Sequence, residues 1–245
     1  EDATTLEYAA APITAPELNS IKDTKDIDGN KFPVLNFKIK DAGADGVPTL
    51  IDQIKIDIAG TGGAASTDIA YAEITDGTTV LASTALSGAH KAVISDSSIL
   101  FGEAADSNGQ GGVTGVENGT EKEYTVKICM KPAKLTAEEG ATYIFSVNRA
   151  NIYTDTNTSP DLALSSKMAQ GAGTVPGLSV GTIKVDVTHI QVLTVGNNSS
   201  ITFNRGDTGT SIKLLASDAN KNLDKTYTAA NLKFKFSGLH SITNT

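Results

Sequence analysis

The sequence predicts an all-β protein of two β-sandwich domains in tandem, the second of them incomplete where the chain stops. Three observations predict it. Apolar and polar residues alternate in short runs, as in Leu35, Phe37 and Ile39 against Asn36, Lys38 and Lys40, and Ile54, Ile56 and Ile58 against Lys55 and Asp57. The runs are bounded by Gly, Asn, Asp and Ser, which turn the chain. No stretch holds the longer period of an amphipathic helix.

Taken in order, residues 1–30 read as an extended arm, irregular and polar, with Pro12 and Pro16. Residues 31–155 form the first sandwich. Its strands are expected from Val34 and through Ile54 to Ile58, then at Ile69 to Thr75, Thr79 to Ala82, Lys91 to Ile94, Ser98 to Phe101, Glu123 to Lys131 and Thr142 to Arg149. Tyr124, Val126, Ile128 and Met130 share one face of their strand, as do Tyr143, Phe145 and Val147, so both supply a core. Cys129 falls on the opposite, polar face, and Lys134 to Gly140 reads as a loop. Residues 156–181, rich in Ser, Thr, Gly and Ala with Pro160 and Pro176, read as a linker. Alternation resumes at Ile183, Val185 and Val187 and continues through Ile190 to Val195, opening a second domain over 182–245. There Ser211 to Ser217 and Leu232 to Phe236 flank an Asp/Asn turn.

Composition narrows the function. The 245 residues carry a net charge of −8 with only two arginines, Arg149 and Arg205, which disfavours nucleic acid as a partner. The apolar runs are too short to cross a bilayer as helices. One cysteine, Cys129, permits no intramolecular disulfide. His90, His189 and His240 have no zinc-ligand spacing.

Residues Thr188 to Gly238, with the run from Gly206 through Asp218-Ala-Asn-Lys-Asn-Leu-Asp224 to Thr228, resemble bacterial immunoglobulin-like repeats of surface and adhesin proteins. Leu35 to Thr49, together with Asn118 to Ile128, resemble a β-repeat of very large secreted proteins of Bacteroidetes-type bacteria. The resemblance implies an extracellular, cell-surface setting. It also implies an immunoglobulin-like second domain, of which an entire example needs roughly seven strands. The implied role is in a surface layer, adhesin stalk or filament, without catalysis.

The acidic loops are the candidate sites. Asp218, Asn220, Asn222 and Asp224 put side-chain oxygens at every second position, a spacing suited to Ca²⁺; the alternative is a plain Asx-rich turn. Asp26, Asp28 and Asn30 form a second cluster, and Asp41 and Asp45 a third. Arg205-Gly206-Asp207 is an integrin-type tripeptide in a turn context, and Gly177 to Gly181 matches a nucleophile-elbow pattern without the required helix after Ser179.

The expected function is structural and non-catalytic, with calcium as a stiffening ion and self-association with neighbouring subunits, the arm serving as strand donor. Two other readings stand beside it: a carbohydrate-binding module recognising a glycan or other cell-surface ligand, and an accessory domain of a secreted enzyme. The aromatic content of 5% without Trp supplies little for stacking on sugars.

Overall fold

A computed structural model describes residues 4–8, 18–19, 30–43, 46, 48–102, 112–154, 174–176, 181–194, 196–197 and 212–227. The described chain is mostly β-sheet with one short helix, in agreement with the all-β expectation. Its strands are β1 (Thr4–Tyr8), β2 (Leu18–Asn19), β3 (Phe32–Asp41), β4 (Thr49–Thr61), β5 (Ile69–Asp76), β6 (Thr79–Ser83), β7 (Ala92–Ile94) and β8 (Ser98–Phe101). They continue with β9 (Thr114–Val116), β10 (Glu121–Met130), β11 (Thr142–Asn148), β12 (Ile152–Thr154), β13 (Thr174–Pro176), β14 (Gly181–Lys184), β15 (His189–Thr194) and β16 (Ile212–Ser217). Helix α1 is a single turn, Ala65–Asp68.

Five strands form one sheet in the order β1-β3-β10-β5-β6. Nine form a second, in which β2-β14-β11-β4-β8-β7 run side by side, β9 and β12 also pair with β4, and β13 pairs with β11. The long strand β4 is the spine of that sheet. Along its length it meets β9, β8, β12 and β11, and Ile54 faces both Phe101 and Ile152.

Both sheets turn apolar side chains into one core. The five-stranded sheet contributes Leu35, Phe37, Ile39, Ile74, Tyr124 and Val126. The nine-stranded sheet contributes Ile54, Ile56, Phe101, Phe145, Val147 and Ile152. Phe37 and Tyr124 face each other in the register of β3 and β10 and stack with ring centroids 5.4 Å apart.

The ladders shift register at four places, one of them where Ile74 pairs with Ala82 but Thr75 with Val80, passing over Leu81. Tyr153 pairs with Gln53 but Thr154 pairs with Ile51, so Asp52 is the extra residue and both Ile51 and Ile54 point inward. Val126 pairs with Leu35 and Lys127 with Pro33, which leaves Val34 unpaired and buried beside Leu35. Pro33, lacking an N–H, sits at that irregularity, where a ladder donor is least needed. Opposite Cys129 and Met130, the extra residue is Ala70.

Several segments depart from the sequence expectations. Within the stretch read as an arm, β1 pairs antiparallel with β3 and β2 pairs parallel with β14. The stretch read as a linker contains β13, paired with β11. Ile183 of β14, read as the opening of a second domain, is buried in the shared core. Strands β15 and β16 form a separate two-stranded sheet in register from His189–Ser217 to Thr194–Ile212. The Leu232 to Phe236 strand lies outside the described residues.

The stacked pair at the core centre sets a first prediction. Phe37→Ala leaves a cavity against Tyr124 and destabilises the protein by about 3–5 kcal/mol in denaturant titration. A cost below about 1 kcal/mol means that this packing does not support the fold.

Candidate functional site

The acidic loops are structural hubs held by hydrogen bonds from within the chain. Asp41 is fully buried at the end of β3; its Oδ1 accepts from the Gly43 amide at 3.0 Å, and its Oδ2 from the Thr49 amide and hydroxyl at 3.1 and 2.9 Å. It closes the connection from β3 to β4. Asn30 is half-buried just before β3 and has a polar interaction of its own. Asp26, Asp28 and Asp45 lie outside the described residues, as do Arg205-Gly206-Asp207 and Ser179.

The turn after β16 is built on Asp218, which is buried. Its Oδ1 accepts from the amides of Asn220 and Asn222 at 2.9 Å each, and its Oδ2 from the Asn222 side-chain amide at 2.8 Å. These bonds wrap the backbone around the carboxylate in an Asx-type turn. A cation on this carboxylate would have to displace those three donors.

Asn222 then reaches out of its own turn. Its Oδ1 accepts from the Leu135 amide at 2.7 Å, and its Nδ2 donates to the Ala133 carbonyl at 3.2 Å. One buried side chain thus satisfies both backbone groups of a distant loop, residues 131–141. That loop is anchored from the opposite direction by Asp68, the last residue of α1, which is fully buried. Asp68 accepts from the amides of Thr136 and Ala137 at 2.6 and 2.8 Å, and from the hydroxyls of Thr136 and Tyr143 at 2.8 Å each. Gly63 must be glycine for the same reason: a Cβ there would sit 2.2 Å from the Tyr143 hydroxyl.

Further along the same loop, Glu139 meets the end of the turn. Its Oε2 accepts from the amides of Lys225 and Thr226, while Lys225 Nζ pairs with Glu138. Asp224 Oδ1 accepts from the Thr226 amide and hydroxyl and from the Tyr227 amide. The carboxyls of Glu139 and Asp224 also hydrogen-bond to each other. Two carboxyl groups can do so only while one holds a proton. Burial and the bond to Asp224 raise the pKa of Glu139, so of the two carboxyls it is the first to take up a proton as pH falls. Burial alone would raise Asp224 as well, but the bonds from Glu139, Thr226 and Tyr227 outweigh it and hold that carboxyl low.

Cys129 is on the face opposite Ile128 and Met130, as alternation predicts, yet that face is covered. The thiol is buried next to Tyr71 in the register of β10 and β5, and its pKa is raised by burial, with Lys31 opposing. Beside it the buried carboxylate of Glu73 takes Lys31 at 2.7 Å, Lys127 at 3.6 Å and the Tyr71 hydroxyl at 2.9 Å. No strand pattern marks this patch, because Glu73 sits at an ordinary outward position.

Asp68 and the Glu73 patch were not among the sequence candidates. Asp68 is a single Asp in a Ser-Thr-Asp stretch that reads as a turn, and its partners are more than sixty positions away in sequence. Among the described residues no group of three or more His, Cys, Asp or Glu converges in a metal-binding arrangement. No protein-family model, curated protein or solved structure matches the chain.

Two predictions follow the loop-to-turn contact. Asn222→Ala leaves the buried Leu135 amide without an acceptor, so stability falls by about 1–3 kcal/mol and that amide exchanges with solvent faster in hydrogen-exchange measurements; unchanged exchange at Leu135 counts against the contact. For Glu139, the raised pKa means that its contribution is complete at low pH and is lost as pH rises through the folded-state value. Melting temperature measured from about pH 4 to about pH 8 should therefore include a decline that Glu139→Gln removes, since the amide keeps the donor to Asp224 at every pH.

Proposed function

We propose that the chain is a structural, non-catalytic module of a bacterial extracellular surface protein, of the surface-layer, adhesin-stalk or filament kind. In this reading it is two tandem β-sandwich domains, the second immunoglobulin-like. Neighbouring subunits of the same protein are its partners.

The observation that carries the proposal is where the buried acidic side chains spend their hydrogen-bonding capacity. Asp41, Asp68 and Asp218 each bind backbone amides of their own or a distant loop. Such groups fix bends and hold loops against one another. A module that bears load needs joints of this kind, because a stiff sandwich transmits force only as well as its connections do. The Asn222 contacts, together with the Lys225 bonds to Glu138 and Glu139, connect the β15–β16 sheet to the large sandwich. Calcium enters this reading as a stiffening ion on the acidic loops, of which the turn from Asp218 to Asp224 is one.

Single-molecule stretching between the chain ends provides the test. The expected trace shows discrete, cooperative unfolding steps, one of which weakens in Asn222→Ala and strengthens when Ca²⁺ replaces chelator. A smooth extension at low force, with no step sensitive to Asn222, would overturn the mechanical reading; insensitivity to Ca²⁺ alone would remove calcium from it.

A further inference from the structure

We infer that the groove between the β15–β16 sheet and the two loops beside it is a docking site for an acidic peptide segment carrying aliphatic side chains between its carboxylates. The groove encloses about 700 Å³. Leu193, Leu215 and Leu223 supply its aliphatic lining.

Charge identifies the occupant. Lys134, Lys213 and Lys221 come from three different segments and line the same groove. The chain has 28 acidic against 20 basic residues. Even so, among the described residues none of these three lysines is paired with a carboxylate. Lys213 reaches only the Asn197 side-chain oxygen, at 3.3 Å. Three ammonium groups gathered without counter-charge repel one another and attract an anion.

Two further features favour the same place. Gln191 lines the groove, and its buried Nε2 has no hydrogen-bond partner. Asn197 and Lys221, with φ of 64° and 68°, are the two non-glycine residues in the left-handed region among the described residues, and both line the groove. Asn tolerates that conformation; Lys does so at a cost, held by the Lys221 amide bond to the Asp218 carbonyl. Among the described residues that line the groove none is aromatic, which favours a peptide over a sugar ring.

The test uses the whole chain and a fluorescein-labelled peptide of alternating glutamate and leucine, followed by anisotropy. Binding is expected to be saturable and to weaken at least about tenfold between about 0.05 and about 0.5 M salt. It should also weaken at least about tenfold in Lys213→Glu/Lys221→Glu, and by less in the milder Lys213→Gln, both variants melting as wild type does. An alternating lysine and leucine peptide should not compete. The inference is overturned if the acidic peptide fails to bind, if the basic peptide binds equally, if both variants bind as wild type does, or if an oligouronate displaces the peptide while the peptide alone binds weakly. Should the double variant not fold, Lys213→Gln and the salt dependence decide the matter.

Discussion

The buried carboxylate of Asp68 is the constraint on which the arrangement of loops depends. A charge with no cation among its hydrogen-bond partners is costly to remove from water, and here four donors offset that cost. Because two of the donors are consecutive amides, the loop before β11 cannot drift without leaving the charge exposed to an apolar core. The loop is thereby shaped in advance for Asn222. What looks like one contact between a turn and a loop is the second half of a relay that starts at α1.

The sheets obey a comparable economy. A sandwich wall that followed strict alternation along β4 would place either Ile51 or Ile54 in solvent. One inserted residue, Asp52, resets the parity, and Gly102 admits the resulting close approach: a Cβ there would meet the Asp52 carbonyl at 2.2 Å. The bulge and the glycine are two parts of one device. Val34 serves the same end on the facing sheet.

Much of this was legible in the sequence, for identifiable reasons. Strands such as β5, β8, β10 and β11 are long enough for period-two alternation to locate both ends within two residues. Strands of three residues carry almost no period: β7 was read at Lys91 to Ile94, but β9, β12 and β13 were not, and Pro176 argued against the last. The acidic turns were recognised as clusters of oxygens, but spacing alone does not distinguish a cation from a backbone amide as their partner. Asp41 and Asp218 are satisfied by amides a few positions away. Asp68 and Asn222 matter through partners far along the chain, and a local reading has no access to them.

The spine strand has a consequence for biogenesis. Ile54 gains its partner Phe101 first, and Ile152 leaves the ribosome 51 residues (152 − 101) after that, an interval of about 3–10 s at ordinary elongation rates. Throughout that interval one edge of an isoleucine-rich ribbon stands open to any neighbouring nascent polypeptide. Efficient production of this protein therefore depends on that ribbon staying free of other chains until its last companion arrives.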